Sequence, residues 1–253
     1  MQILVVGLGA MGSALVKRLE PNYDFTIIDP FKEICLESVD ALPVGYFPDI
    51  VLITIKPQTL AEILPAYAKF SSALFISIAA GVTCKRYQEL LGDVRLSRVM
   101  PNLAVQVGES ASAYVLNENC TEADDTLVNQ LFSQVGILKK LNDERLFDAV
   151  TALSGSGPAY VYYLCEALSD AAQHLGLDAE FADEFSRQTI IGAAATLKEL
   201  PDSAAQLRAN VTSKGGTTQA ALNVLMVGDA LKILFSKALT AARNRCQYLA
   251  RKL

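Results

Sequence analysis

The chain has 253 residues, of which 51% are hydrophobic, and it carries a formal net charge of −5 at pH 7. This composition excludes a disordered chain, and the lack of a long basic run disfavours a nucleic-acid partner. No apolar run approaches the ~20 residues that a membrane span needs, and the first residues lack the basic region of a signal peptide. We therefore expect a cytoplasmic protein with no membrane partner.

The few histidine and cysteine residues limit the chemistry that the chain can perform. The five cysteines stand far apart without metal-type spacing, which predicts reduced, mostly buried thiols and no metal site. The single histidine, His174, falls near the end of a predicted helix, where a structural role is usual. A zinc site or a Ser-His-Asp triad has little to build on, so we expect any catalysis to depend on a cofactor.

The first predicted element is a short apolar strand that runs into a glycine-rich turn. The letters QILVVG are followed by GLGAMG and by the helical pattern SALVKRL, which puts Gly7, Gly9 and Gly12 in G-x-G-x-x-G register. In that context Gly7 permits a tight turn, Gly9 lets a pyrophosphate approach, and Gly12 allows close packing of helix on strand. The alternative is a glycine-rich turn in some other α/β protein. The predicted dinucleotide site comprises Gly7, Leu8, Gly9, Ala10, Met11 and Gly12.

A second strand, DFTIID, ends at Asp29, about 20 residues beyond the glycines. A carboxylate at this place can accept a hydrogen bond from a ribose 2′-hydroxyl and would repel a 2′-phosphate, which favours NADH. Lys32 is close in sequence and would soften that repulsion. The alternative is that Asp29 is a strand-end turn residue before Pro30.

Further strands and helices continue the pattern along the first half of the chain. The runs DIVLITI, ALFISIAAG, VRLSRVMPN, SASAYVL and GILKKL predict strands, with one helix after Pro57 and another around residues 121–132. Their alternation predicts an α/β fold with a doubly wound, mostly parallel sheet. The stretch between Asp29 and Asp49 is short, so we expect the third strand of such a sheet to be trimmed. Since ligands bind at the carboxyl ends of parallel strands, we expect the cofactor cleft to include Lys56, Pro57, Ala79, Ala80, Gly81 and Asn102.

After residue 141 the pattern becomes helical. We predict one helix after SGSG with Pro158 in its first turn, a second over roughly residues 179–200, and a last one from near Asp229. The apolar and small residues of these helices exceed what one small helical domain can bury, which predicts a homodimer through this half. The alternative is one compact monomer whose helices pack on the nucleotide domain. The expected domains are residues 1–145, which bind the nucleotide, and residues 146–253, which bind the substrate and dimerise.

The stretch VTSKGGTTQAAL, residues 211–222, interrupts the helical half with hydroxyl groups and glycines. These residues are unfavourable inside a helix but suit its entrance, where free N–H groups can bind an anion. The alternative is a solvated turn followed by a capped helix.

Several of these stretches together resemble one family. GLGAMGSAL, ITIKPQ, ISIAAGVT, RVMPN, ALSGSGPAYVYYLCEALSDAA and VTSKGGTT follow one another as in pyrroline-5-carboxylate reductases, from residue 2 to about residue 225. The resemblance implies a Rossmann domain and an all-helical dimerisation domain. It also implies NAD(P)H-dependent reduction of a cyclic imine carboxylate to L-proline, the last step of proline synthesis. Members often assemble further, into rings of dimers, and NADPH is the usual cofactor.

The resemblance also implies roles for the 211–222 stretch. The loop before its helix holds the substrate carboxylate in the family, and the Thr218 hydroxyl matches the position that hydrogen-bonds the ring nitrogen. Thr218 thereby becomes the predicted catalytic residue. The predicted substrate contacts are Ser213, Gly215, Gly216, Thr217 and Thr218.

The sequence departs from the family at four places. Lys214 stands where proline is usual, Leu103 where threonine is common, and Glu109-Ser110 where the family carries a glycine; the family's HP before the loop is missing. These departures leave open a reductase of another small carboxylated imine and a non-catalytic nucleotide-binding relative. A β-hydroxyacid dehydrogenase is disfavoured, because residues 159–175 contain no lysine to act as general acid or base.

Overall fold

The computed structural model of the protein describes residues 1–251. All seven predicted strands form, and the central ones are short apolar runs that are buried on both faces. The strands are β1 Gln2–Val6, β2 Asp24–Ile28, β3 Ile50–Ile53, β4 Leu74–Ser77, β5 Arg95–Met100, β6 Ser110–Leu116 and β7 Gly136–Lys140. The α-helices are α1 Ala10–Leu19, α2 Leu60–Ile63, α3 Cys84–Leu91, α4 Glu122–Phe132, α5 Phe147–Val150, α6 Gly157–His174, α7 Ala179–Glu199, α8 Ala204–Asn210, α9 Thr217–Leu225 and α10 Ala230–Ala250.

The strands form one sheet in the order β2-β1-β3-β4-β5-β6-β7. The first five strands are parallel, β6 is antiparallel to β5, and β7 is parallel to β6. The prediction of a doubly wound, mostly parallel sheet is therefore confirmed. The strand order reverses between β1 and β3, and this switch point is where sheets of this kind bind ligands.

Alternate residues of the central strands enter two separate apolar layers, one on each face of the sheet. Ile3 and Val5 of β1 pack in one layer with residues of α1 and α4. Leu4 and Val6 of the same strand pack in the other layer with residues of the 60–70 segment and α3. A strand buried on both faces in this way reads as a continuous apolar run.

The segment between β2 and β3 is reduced, as predicted. A single parallel bridge between Ile28 and Leu36 stands where a third strand would pair with β2. It is followed by one short 3₁₀ turn, Val39–Ala41. β2 is consequently one of the two edge strands of the sheet, and β7 is the other.

Two sequence expectations need correction. The helix expected after Pro57 is split into a 3₁₀ turn, the short α2 and the 3₁₀ segment Leu64–Phe70. Pro65 supplies a reason, since it has no N–H for an α-helical hydrogen bond. The thiols are also less buried than expected, because only Cys246 is buried and the other four cysteines are partly exposed.

The chain folds into two compact units. We call residues 1–158, together with the chain from Ala241 onward, the sheet unit, and Ala159–Thr240 the helical unit. The expected domain boundary at residues 145 and 146 concerns ligand binding and stays a prediction. In residues 1–251 no helix is both long and apolar enough to cross a membrane.

The end of α10 completes the sheet unit. The Cys246 thiol donates a hydrogen bond to Asp148 Oδ1 at 3.2 Å. Further along, α10 reaches the turn after β4: Gly81 has φ +76°, and a Cβ atom there would lie 3.5 Å from the Ala250 Cβ. The last turns of the helix therefore pack on segments that are far away in sequence.

Candidate cofactor and substrate sites

Each glycine of the G-x-G-x-x-G motif has a separate structural reason. Gly7 has φ +90°, and a Cβ there would lie 2.6 Å from Ile55 Cγ2. A Cβ on Gly12 would lie 2.7 Å from Thr54 Oγ1 and 3.0 Å from the Gly7 oxygen. Gly9 faces open space, with nothing within 4 Å of a Cβ position. The turn is thus packed underneath and open above.

That open face fits a dinucleotide pyrophosphate. Gly9 is the N-cap of α1, and no side chain caps the helix, so the first N–H groups point to the open side. A phosphate group at such a helix N-terminus is stabilised by these N–H groups and by the helix dipole. Leu8 is half-buried, whereas Gly9 and Ala10 are exposed; Met11, half-buried, follows in the first turn.

Thr54, just after β3, is part of this turn although sequence reasoning did not single it out. Its hydroxyl donates hydrogen bonds to the carbonyl oxygens of Val6 and Gly7. This contact fixes the end of β1 against the end of β3 at the switch point. The only sequence signal was its place, directly after the apolar run of β3 and before Lys56-Pro57.

Asp29 lies directly after β2 and is 8% exposed. Its Oδ2 accepts a hydrogen bond from the Leu8 N–H at 2.6 Å, and its Oδ1 accepts one from the Phe31 N–H at 2.9 Å. The carboxylate therefore links the glycine turn to the loop after β2. Each carboxylate oxygen has a further lone pair, so this structural role is compatible with a hydrogen bond from a ribose hydroxyl.

The other predicted cofactor residues follow β3, β4 and β5. Lys56 is exposed and adopts the extended conformation that a residue before proline prefers, and Pro57 opens the next 3₁₀ turn. Ala79, Ala80 and Gly81 form a partly exposed turn after β4, in which the Ala79 N–H donates to the Ser77 hydroxyl at 3.3 Å. Since β1–β5 are parallel, these turns share one edge of the sheet with the glycine turn and Asp29.

Asn102, which follows β5, is 7% exposed, and both polar atoms of its side chain form hydrogen bonds. Its Oδ1 accepts a hydrogen bond from the Ala104 N–H at 3.0 Å, and its Nδ2 donates to the Ser154 carbonyl at 3.0 Å. The motif RVMPN is thereby joined to the motif SGSGP. Asn102 thus positions the segment that leads into α6.

The segment Thr151–Gly155 forms a π-helical turn, which the sequence did not predict. π-helical turns are rare in proteins, and those that occur are often found at functional sites. Ser154 lies within this π turn. The π turn runs directly into α6, which begins at Gly157 with Pro158 in its first turn as expected.

A buried ionic cluster lies next to this turn. Arg98 of β5 is 3% exposed, forms an ion pair with Glu144, and lies over the Phe147 ring at 4.3 Å. Glu144 also accepts the Cys84 N–H at 2.7 Å. Burial, followed by the Glu144 charge, raises the pKa of the Cys84 thiol to about 12, so this thiol is neutral and unreactive at neutral pH.

The substrate residues predicted by resemblance lie in the helical unit, in the loop between α8 and α9. A turn is closed by a hydrogen bond from the Gly216 N–H to the Ser213 carbonyl at 3.1 Å. Gly215 has φ +73°, and its N–H donates to Gln219 Oε1 at 2.6 Å. A Cβ on Gly216 would lie 2.4 Å from Ser213 Oγ, so glycine is needed for the serine hydroxyl to fold back over the turn.

α9 starts at the end of this turn. Gly216 is its N-cap in extended conformation, and no side chain caps the helix. Thr217 is exposed and Thr218 is half-buried, both in the first turn. The loop therefore presents N–H groups and hydroxyls at a helix N-terminus, which can bind a small anion. The turn before α9 is exposed, as the alternative of a solvated turn expects, whereas the side-chain cap of that alternative is absent.

Lys214 occupies the second position of the turn and is exposed. A turn with a positive φ at its third position is the type II pattern, in which proline is common at the second position and most residues are tolerated there. The positive φ is provided by Gly215. Replacing the usual proline by lysine is therefore compatible with the same turn.

Comparison with known proteins finds similar chains. Residues 144–249 match the family described as pyrroline-5-carboxylate reductase dimerisation. A pyrroline-5-carboxylate reductase of Methanosarcina acetivorans is 34% identical, over 98% of this chain and 97% of the relative.

Two solved structures cover nearly the whole chain. A pyrroline-5-carboxylate reductase from Coxiella burnetii has a TM-score of 0.86 at 34% identity, over 98% of this chain and 97% of the other. The Plasmodium falciparum pyrroline carboxylate reductase, described with NADP bound, has a TM-score of 0.85 at 29% identity, over 99% and 98%. From its sequence and its fold, this chain belongs to the pyrroline-5-carboxylate reductase family.

Proposed function

We propose that this chain reduces the cyclic imine L-1-pyrroline-5-carboxylate to L-proline with a reduced nicotinamide dinucleotide, the last step of proline biosynthesis. The observation that carries the proposal is the 213–218 loop, where a glycine turn leads into α9 at an N-terminus that no side chain caps. The family's usual proline is absent from this loop, yet its turn, its glycines and its hydroxyl groups are present.

The protein's own contribution is to hold the substrate. In the proposal, the N–H groups at the start of α9 bind the substrate carboxylate, with Ser213, Gly215, Gly216 and Thr217 forming the cradle. The Thr218 hydroxyl donates a hydrogen bond to the ring nitrogen and is the catalytic residue. The reduced nicotinamide, when bound, would supply a hydride to the imine carbon, and the ring nitrogen would take one proton from the solvent, which gives the secondary amine. Positioning of this kind lowers the barrier without a strong acid or base, which suits a chain whose one histidine ends α6.

The nicotinamide cofactor is expected at the carboxyl edge of β1–β5. The residues proposed to hold it are Gly7, Leu8, Gly9, Ala10, Met11, Gly12, Asp29, Lys56, Pro57, Ala79, Ala80, Gly81 and Asn102. The family's habit argues for NADPH, and Asp29 argues for NADH, because a carboxylate at the end of β2 would repel a 2′-phosphate if the ribose binds there. We propose NADH as the preferred cofactor.

The variant Asp29→Ser tests this choice. We expect the ratio of kcat/KM values to move toward NADPH, together with a loss of about 1–3 kcal/mol of stability, because two N–H groups lose their acceptor. Asp29→Asn is the matched control, since it removes the charge but keeps one oxygen as acceptor. An unmoved cofactor ratio in both variants would mean that Asp29 serves only the turn.

Homodimerisation through the C-terminal helices is the proposed assembly. The stripe of α6 that the sequence predicts as apolar is exposed in the single chain, with Leu164 at 49% and Leu168 at 41%. A second copy would cover it. Light scattering distinguishes a dimer from a larger ring of dimers. The cytoplasmic location stays a prediction.

The first experiment is the loss of absorbance at the reduced-nicotinamide band with pyrroline-5-carboxylate, in parallel with NADH and NADPH. Turnover supports the proposal, and the cofactor that gives the higher kcat/KM is the preferred one. Nucleotide binding without turnover would favour a different carboxylated imine, and turnover with such an imine would then identify it.

A further inference from the structure

The loop after β2 exposes apolar side chains at the cofactor edge of the sheet. Phe31 is 91% exposed and Ile34 is 92% exposed. They follow Asp29 by two and five residues, beside the edge strand. This is the segment that remains where a third strand is missing, so these side chains are not covered by a neighbouring strand.

The loop is held in a defined shape. The Lys32 N–H donates to the Asp29 carbonyl at 3.2 Å, and the Cys35 N–H donates to the Lys32 carbonyl at 3.0 Å, which makes two successive turns. Within the first turn the Phe31 N–H is bound by Asp29 Oδ1. The backbone of Phe31 is therefore fixed, although its ring is exposed.

The same carboxylate connects Phe31 to the glycine turn. Asp29 Oδ2 binds the Leu8 N–H at 2.6 Å, and Oδ1 binds the Phe31 N–H at 2.9 Å. Along a bound dinucleotide the pyrophosphate is followed by the ribose and then by the adenine. With the pyrophosphate on the glycine turn and the ribose at Asp29, the adenine comes next, toward the edge strand.

We propose that the Phe31 ring is the surface on which the adenine of the cofactor stacks, with Ile34 adding apolar area to the same loop. An aromatic ring is suited to this because a base can stack on it by its π-face without a specific hydrogen bond. The inference rests on the proposed function, since it requires a dinucleotide with its ribose at Asp29.

The chain contains no tryptophan, which permits a direct test of contact. Phe31→Trp introduces a single tryptophan, whose emission can be excited selectively, at the proposed stacking position. Phe47→Trp is the matched control, because Phe47 is also an exposed phenylalanine, at 69%. It lies just before β3, near Asp49, whose carboxylate accepts a hydrogen bond from the Gln2 N–H at the amino ends of the strands, away from the glycine turn. Both full-length variants are titrated with ADP-ribose and, separately, with nicotinamide mononucleotide, which lacks adenine.

We expect ADP-ribose to quench the emission of the Phe31→Trp protein and to leave that of the Phe47→Trp protein unchanged, with no quenching by nicotinamide mononucleotide. By calorimetry, Phe31→Ala should weaken ADP-ribose binding about five-fold or more, from the usual strength of base stacking, while Phe47→Ala leaves it unchanged.

Two other outcomes would overturn the inference in different ways. If the unaltered chain binds ADP-ribose but Phe31→Ala binds it equally well and Phe31→Trp shows no quenching, the adenine lies elsewhere and the proposed function stands. If the unaltered chain does not bind ADP-ribose or NADH at all, the nucleotide site fails, and the proposed function fails with it.

Discussion

The two units of this protein bury their apolar residues in different ways. The central strands of the sheet unit are enclosed on both faces, and the residues of β3 and β4 are all buried. In the helical unit, α8 and α9 have no buried residue, and Ser169 is the buried residue of α6. The sheet unit thus has its own core, whereas the helical unit leaves apolar side chains for another surface to cover. The carboxyl edge of the sheet is fixed by internal packing, whereas the helical unit exposes apolar side chains along its helices.

The largest expected effect comes from breaking the sheet unit at Gly136, which opens β7 with φ +142°. A Cβ there would lie 2.0 Å from the Ser110 carbonyl oxygen, so Gly136→Ala must displace β7 from β6. We expect a loss of about 4 kcal/mol or more in the free energy of unfolding, measured with urea.

The matched control is Gly92→Ala, which also has positive φ, +79°, but no atom within 4 Å of the Cβ position. Backbone strain alone should cost it about 1–3 kcal/mol. If both variants lose the same stability, β7 shifts without cost, and the sheet unit is less tightly fixed than its burial indicates.

The next effect concerns the exposed stripe of α6. Leu168→Asp puts a charge on the surface that a second copy would cover, and it does so twice in a symmetric dimer. We expect about 2 kcal/mol or more of lost association energy per copy and a shift to monomer in light scattering. Val44→Asp is the control, because Val44 is fully exposed in the sheet unit. An unchanged mass for Leu168→Asp would show that α6 is not part of the assembly.

A smaller effect is expected at the start of α9. Thr218→Ala removes one hydroxyl from a half-buried position. It should lower kcat about ten-fold to a hundred-fold, the usual range for a hydrogen bond to a charged group, with nearly unchanged cofactor binding. Thr218→Ser keeps the hydroxyl and should recover most of the rate. An unchanged kcat in Thr218→Ala would remove Thr218 from the mechanism.

The smallest effect is expected from Lys214→Pro. The turn's hydrogen bond is donated by Gly216 and its positive φ is at Gly215, so proline should fit the second position. The variant should gain about 0.4–1 kcal/mol of stability in thermal unfolding, because the unfolded loop has fewer conformations. Lys214→Ala controls for the lost charge. A loss of stability for proline but not for alanine would show a backbone angle at residue 214 that proline cannot adopt.

Much of the sheet could be predicted, because a buried parallel strand and a buried run of apolar residues are nearly the same thing. The glycine turn, the strand ends and the starts of α6, α7 and α10 were predicted for the same reason: local residue type decides them. The break in the helix after Pro57 shows the limit of such prediction. The apolar residues keep helical spacing past Pro65, but Pro65 has no N–H to continue the α-helical hydrogen bonds.

The parts that could not be predicted depend on contacts between distant segments. Nothing in the sequence says that the Asp29 carboxylate binds the N–H groups of both Leu8 and Phe31. The π turn was likewise not predicted, and the hydrogen bond that its Ser154 carbonyl accepts from Asn102 joins residues 52 positions apart. For the same reason, the sequence did not indicate that Cys246 meets Asp148.

The contacts at the end of α10 have a consequence for the order of synthesis. The sheet unit takes its final segment from Ala241 onward, after the whole helical unit in the chain. A ribosome making this protein releases the glycine turn and all seven strands well before the residues of α10 that pack against Gly81 and Asp148. The nascent sheet can pair its strands at once, yet its final closure has to wait until the helical unit and α10 have been made.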